Sequence, residues 1–426
     1  MSDSTHISYE APTTLWGSRS FIYYWFARTS TNGAYQMQTV AIGYQIYELT
    51  NNPFDLGLVG LVQFLPIVLL SLVIGQIADH YDRREVVRIC QIAKTLAALA
   101  LAVGTIGGWL NREGFLAILF VTGVARAFDT PVMHTLLPGL VPPQLMPRAI
   151  AASATATQTA VICGPALSGL IYYYASSYFS PQFGPLAVYA TCAVIFFAAG
   201  GLVTLMKLQT DPPVRRPVTL QTLFAGFTYI RSRPILLGAL LLDLFAVLLG
   251  GITALLPIYA RDVLQSGEDG PLILGLLRSA PALGALSISA VLARFSLDRD
   301  IGRVLFVSVA VYGLSIAVFA ISSSLALSLV MLAIYGAADA ISVVIRQSLV
   351  QTHTPNEMLG RVMAVNSMFT GTSGTLGEFR AGAVAASLGG VSAALLGGVG
   401  ALAIALLWAK VFPDLYRVDT FSPKQS

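Results

Sequence analysis

The stretch Gly75-Gln76-Ile77-Ala78-Asp79-His80-Tyr81-Asp82-Arg83-Arg84 decides the fold, because it sets a tight knot of charge between two long apolar runs. A helix needs about 20 mostly apolar residues to cross a bilayer. Charge confined to a few residues between two such runs marks a turn where one membrane helix leaves the lipid and the next enters. Extending the reading in both directions gives twelve predicted spans, at roughly 21 to 48, 56 to 78, 86 to 109, 115 to 139, 149 to 175, 185 to 206, 234 to 261, 272 to 296, 303 to 322, 325 to 349, 359 to 385 and 388 to 410.

Composition agrees with a chain built for lipid. Of its 426 residues 55% are apolar and only 11% charged, with a mean hydropathy of +0.73, far from the soluble average. The expected fold is all-α, a polytopic membrane protein. Lys and Arg gather in the two tails and in the loops that share their side, whereas Arg112 and Arg261 lie on the other side. By the positive-inside rule both termini then face the cytoplasm, in the cytoplasmic (inner) membrane. The net charge of +4 follows from this bias and calls for no nucleic-acid partner. Residues 1–20 are polar and carry Asp3 and Glu10, unlike a cleaved signal peptide, so the first helix is expected to act as its own insertion signal.

The remaining residue types exclude several chemistries. Cys90, Cys163 and Cys192 fall in or beside spans without CxxC spacing and read as small apolar fillers. His6, His80, His134 and His353 are too scattered for a metal cluster, and no GxxxxGK[ST] phosphate loop exists. No metal, cofactor or ATP site is expected, and no nucleophile-base pair suggests an enzyme.

The chain divides in two. Lys207 to Arg233, with Asp211, Pro212, Pro213, Arg215, Arg216 and Pro217, separates six spans from six. Residues 1–206 and 234–426 are the expected bundles, and 207–233 the cytosolic linker. Within it Leu220, Leu223, Phe224, Phe227 and Ile230 recur near helical spacing, the mark of an amphipathic helix on the membrane surface. A shift of 213 residues aligns Pro142 with Pro355, Arg148 with Arg361, Ala151 with Ala364, Gly164 with Gly377 and Gly169 with Gly382. Parallel six-helix repeats suit two bundles that rock about a site at their interface.

Twelve spans, a six-plus-six repeat and the loop Gly75 to Arg84 together resemble the major facilitator superfamily over nearly the whole chain. The loop matches that family's signature between its second and third helices, with His80 where a basic residue is usual and Asp82 where Gly is usual. Tyr44 to Thr50, Gly57 to Leu61, Asp79 to Arg84 and Gly360-Arg361-Val362 are similar to the branch that contains the enterobactin exporter. That branch is dominated by exporters of siderophores and other amphiphiles, so the resemblance implies export.

The resemblance also implies roles for residues. Gly75 lets the second and eleventh helices approach, and Asp79 faces the start of the eleventh near Arg361, where helix amides and a guanidinium both favour an anion. With Asp82, Arg83 and Arg84 this forms a conformational gate; the bland alternative is a topology signal. Gly164-Pro165 and Gly169 form a partial antiporter signature, with Ala160 and Ser168 where Gly is usual. It reads either as a hinge or as a structural kink.

Charges inside spans are costly unless paired or wetted. Arg28, Arg126, Asp129, Asp243, Arg278, Asp339, Arg346, Glu378 and Arg380 are the set, expected to line a central cavity. Arg126 with Asp129, three apart, suggests an internal pair, as does Asp339 with Arg346 at two turns. Asp339 aligns with Arg126 across the repeat, which suggests a switchable pair between bundles or a static one. Lys94 and Arg88 are expected to snorkel, Tyr23, Tyr24 and Trp25 to anchor at the interface, and Glu48 to sit at a solvated helix end. Asn32, Tyr35, Gln36, Gln38, Gln45, Gln63, Thr155, Thr157, Gln158, Thr159, Asn366, Ser367 and Thr370 offer the uncharged lining, or hydrogen bonds between helices.

The reading is a monomeric secondary transporter that exports a siderophore-like or other amphiphilic organic molecule in exchange for protons. Asp129, Asp243, Asp339 or Glu378 would be the coupling acid. A multidrug pump or an importer of the same fold is the nearest alternative, and a non-transporting sensor or scaffold the alternative of another class.

Overall fold

Short polar caps open three helices of the first half. The computed structural model describes residues 14–207, 220–295 and 299–421, with side chains for all of these except 71–80 and 220–223. Ser18 accepts from the Phe21 amide at 3.3 Å and opens α1 (Arg19–Thr50). Asp82 accepts from the Arg84 amide at 2.9 Å and opens α3 (Arg83–Gly107), and Asn111 caps α4 (Arg112–Leu136). Such side-chain oxygens satisfy amides that the first helical turn leaves unpaired.

Between and beyond these run α2 (Pro53–His80), α5 (Met146–Tyr178), α6 (Phe183–Thr204) and the linker helix α7 (Leu220–Arg231). The second set is α8 (Pro234–Gly250), α9 (Gly270–Arg294), α10 (Ile301–Ala320), α11 (Leu325–His353), α12 (Asn356–Leu388) and α13 (Gly390–Val411). Ten segments of the described chain are long and apolar enough to cross a membrane. The two long helices outside that set are α1 and α12, rich in Gln, Asn, Ser and Thr. Both face the space between the bundles, where an apolar surface is not required.

Neighbour relations repeat between the halves. In the first, α1 packs on α5 and α6, α2 on α4, and α3 on α4 and α6. In the second, α8 packs on α12 and α13, α9 on α11, and α10 on α11 and α13. The bundles then meet through α5 with α9 and, as the symmetric equivalent, α2 with α12. The aligned glycines have matching jobs. A Cβ on Gly169 would stand 2.7 Å from the Pro271 carbonyl oxygen across the seam, and one on Gly382 would stand 2.7 Å from the Gly57 amide nitrogen. Gly164 and Gly377 instead press against α1 and α8 of their own bundles.

Three expectations need correction here. The seventh span is broken: α8 stops at Gly250, and the chain continues through a 3-10 turn at Thr253–Leu255 and a π turn at Tyr259–Val263. Arg380 donates to the freed carbonyls of Leu248 and Leu249, so it caps α8 and lines neither interbundle cavity. Tyr24 is fully buried and accepts from Arg28, while Trp25 donates to the Ala152 carbonyl at 3.0 Å, so these rings bind helices together instead of anchoring at headgroups.

Candidate functional site

Among the described residues the bundles are joined at one end. α1 ends, α2 begins, α5 ends and α9 begins on the face opposite the termini, and the interbundle hydrogen bonds and ring contacts of the described residues gather there. Tyr47 donates to Asp262 at 2.5 Å, and Arg261 lies over the Tyr47 ring at 4.3 Å while donating to Asn51 Oδ1 at 2.6 Å. Phe54 meets Phe379 edge-on, and Ser279 donates to the Ile162 carbonyl at 2.8 Å. The largest apolar cluster, including Tyr44, Ile46, Leu255, Leu256, Leu274 and Leu277, crosses the seam beneath these contacts. This closure was missed in the sequence, though Arg261, one of two cations on the sparse side and followed by Asp262, was its signal.

Behind the closure lies a cavity of two adjoining lobes. One, of about 340 Å³, is lined by Tyr35, Gln36, Gln63, Arg126, Arg278 and Glu378 among others. The second, of about 300 Å³, shares Gln36, Thr253 and Arg278 and adds Gln158, Tyr335 and Asp339. Seven helices of the two bundles and the turn at Thr253 supply these walls. Arg126 donates to the Tyr35 hydroxyl at 2.5 Å and stacks over its ring at 4.0 Å; that hydroxyl in turn donates to Gln63 Oε1 at 2.8 Å. Glu378 reaches across from α12, so close that a Cβ on Gly60 of α2 would lie 3.0 Å from its Oε2. Arg126, Arg278 and Glu378 form no ion pair within 4.0 Å among the described residues.

Other charges are spent inside single bundles, which corrects the expectation that all of them line the cavity. Asp129 does not pair with Arg126. It accepts from Lys94 at 2.5 Å and Gln91 at 3.1 Å, with Lys94 only 3% exposed and therefore not snorkelling. Same-helix spacing hid this partner, because α4 turns Arg126 toward α1 and Asp129 toward α3. Likewise Arg346 pairs with Asp243 of α8 and not with Asp339; their side chains are 2% and 7% exposed. Asp339 forms no hydrogen bond or ion pair among the described residues and makes no pair with Arg126. It faces the second lobe on one side and, with Asp243, Tyr312 and Ser342, a small void on the other.

The rest of the expected lining separates too. Arg28 donates to Tyr24 at 2.7 Å and meets the His134 ring at 3.3 Å, and Asn32 donates to the Arg28 carbonyl at 3.0 Å. Both lie outside the lobes, as does Asn366, whose Oδ1 is buried with no hydrogen-bond partner among the described residues. Pro165 lines the second lobe beside Gly164, while Gly169 serves the α5–α9 seam. Glu48 is not a free helix end, since Tyr172 approaches it at 3.5 Å.

At the signature loop, the contacts of Gly75 and the side chain of Asp79 lie outside the described residues. Asp82 pairs with Arg84 at 2.9 Å, and Arg84 also donates to the Met206 carbonyl at 3.1 Å. The Arg84 hydrogen bond holds the Asp82 carboxyl below the usual carboxylate range. Stability from that contact is present above the unfolded-state value and lost as pH falls through the lowered one. Arg83 opens α3 beside them. On α12, Arg361 donates to Met358 within its own helix, and α7 packs against its backbone through Gly226.

Comparison with known proteins gives one consistent picture. A family model described as transmembrane secretion effector matches residues 12–422. The enterobactin exporter EntS of Citrobacter koseri is 27% identical over 340 residues, covering 76% of this chain and 75% of that one. Its Escherichia coli (strain SMS-3-5) namesake is 25% identical over 404 residues, covering 91% and 90%. Among solved structures, an inward-facing bacterial homolog of the human lysosomal transporter Spinster superposes with a TM-score of 0.71 at 14% identity, over 93% of this chain and 97% of that one. A bacterial homologue of the iron transporter ferroportin, also inward-facing, gives 0.69 at 16%, over 94% and 99%.

Proposed function

The chain belongs to the transmembrane secretion effector family of the major facilitator superfamily, a multi-pass membrane transporter and not an enzyme, and we propose that it exports an amphiphilic, siderophore-like organic molecule by alternating access. The carrying observation is a polar cavity walled by both bundles, sealed on the face opposite the termini by Tyr47, Asp262 and Arg261. With the termini at the cytoplasm, as the Lys and Arg distribution supports, this is the loading state. The relatives named enterobactin exporter support the direction and the substrate class. The protein acts as a monomer, with the solute and protons as its partners. Gly75, Asp79, Asp82 to Arg84 and Arg361 form the opposite closure when the bundles rock, and the Gly164-Pro165 bend is the hinge.

Coupling needs an acid that meets different surroundings in the two states. Asp339 is the best placed, since Asp129 and Asp243 each hold a cation and Glu378 shares its lobe with Arg126 and Arg278, whereas Asp339 holds no cation within the described residues while facing the cavity. The test is uptake of siderophore-like amphiphiles into everted membrane vesicles. Accumulation should require the chain, collapse with a protonophore, and be lost in Asp339→Asn while counterflow persists. Failure of every solute to accumulate would favour a sensor or scaffold, and accumulation indifferent to the protonophore would remove proton exchange.

A further inference from the structure

The larger lobe carries an imbalance of charge that its own walls do not resolve. Two guanidiniums, Arg126 of α4 and Arg278 of α9, face it together with one carboxylate, Glu378 of α12. A guanidinium has five N–H donors. Tyr35 takes one from Arg126, and Arg278 Nε is buried with no hydrogen-bond partner among the described residues. An ion away from water is expensive unless its donors are met and its charge balanced. Glu378 supplies one negative charge to two positive ones and stands beyond ion-pair distance of both. The neighbouring cluster of Asp243, Asp339 and Arg346 spends its one cation on Asp243, and its second carboxylate, Asp339, faces the other lobe and not this one.

We propose that Arg126 and Arg278 are a two-armed receptor for the anionic group of an aromatic organic acid, a carboxylate or phenolate. The proposal deepens the export reading by naming the charge of the cargo, and it rests on this cavity being the substrate path. Planar guanidiniums recognise planar oxyanions through paired hydrogen bonds, which lysines do not reproduce. Tyr35 and Phe64 supply aromatic wall beside the charge, and Gln63, already oriented by Tyr35, adds an amide. Glu378 keeps the empty site from carrying two uncompensated charges, and it opposes the ligand. For an anion, the inside-negative membrane potential itself favours exit.

The experiment is calorimetric titration of the purified full-length protein in nanodiscs with naphthalene-2-carboxylate, naphthalene-2,6-dicarboxylate and the corresponding neutral carboxamides. Wild type should bind the carboxylates and not the carboxamides. Arg126→Gln and Arg278→Gln should each weaken binding about tenfold or more, the scale of one charged hydrogen bond. Arg278→Lys should restore only part of the loss, and Glu378→Gln should tighten binding several-fold by removing repulsion. That gain cannot come from misfolding. Carboxamides binding as well as carboxylates, no carboxylate binding by wild type, or weaker binding in Glu378→Gln would each overturn the receptor. Carboxylate binding without transport in vesicles would uphold the receptor and overturn the export reading; transport of neutral solutes alone would do the reverse.

Discussion

Lys94 and Asp129 show how a buried charge is held in this molecule. Both sit in the wall between α3 and α4, 2.5 Å apart, with Gln91 donating to the other carboxylate oxygen. Breaking such a pair leaves one ion stranded, which costs about 3–5 kcal/mol, whereas replacing both partners by apolar residues is often neutral. Lys94→Met should therefore lower the melting temperature of the detergent-solubilised protein sharply, and the double variant Lys94→Met/Asp129→Leu should recover most of it. If the double variant melts no higher than the single one, the pair has a role beyond mutual neutralisation. The sequence placed Asp129 in a span and flagged its cost, but its partner lies on another helix. Spacing along one helix reports only neighbours on that helix, so Arg126 was assigned to Asp129 when Tyr35 and the cavity were its true surroundings.

At the scale of helices, small residues set how near the bundles come. The α5–α9 seam brings Gly169 so close to Pro271 that a methyl would meet the carbonyl oxygen at 2.7 Å, well inside contact distance. Backbone cannot yield as a flexible side chain can, so Gly169→Ala should push α5 and α9 apart. Disulfide formation between cysteines introduced at Ile162 and Ser279 should slow relative to the unsubstituted protein. Gly201→Ala, where the new methyl has nothing within 4 Å, should leave that rate unchanged; equal rates in all three would mean the seam absorbs the methyl. Helix positions were legible because apolar runs are local signals. The 213-residue repeat even paired Gly169 with Gly382, and the fold gives both the same task across the two seams. The break after Gly250 was not legible, since nothing local says that Arg380, more than a hundred residues later, will satisfy the carbonyls it frees.

For the whole molecule, function depends on how firmly the closed face holds against the alternative in which it opens. The described contacts there are few and mostly polar: Tyr47 to Asp262, Arg261 to Asn51 and to the Tyr47 ring. A hydrogen bond to a charged group contributes about 1.5–3 kcal/mol, and every 1.4 kcal/mol moves a two-state population about tenfold. Closure that must be released in each cycle cannot be worth much more than that, whereas the apolar layer of Leu255, Leu256, Leu274 and Leu277 beneath it is insensitive to a single hydroxyl. Tyr47→Phe removes the bond to Asp262 and keeps the ring under Arg261, so the open population of that face should rise about tenfold. Spin labels at Ser180 and Glu268, in a background with the exposed Cys163 replaced, report the opening as a new long-distance component. Asp262→Ala should show the same component, because it removes the acceptor of the Tyr47 hydroxyl from the other side of the seam. A distance distribution unchanged in both variants would move the closure from this polar latch to the apolar layer below it.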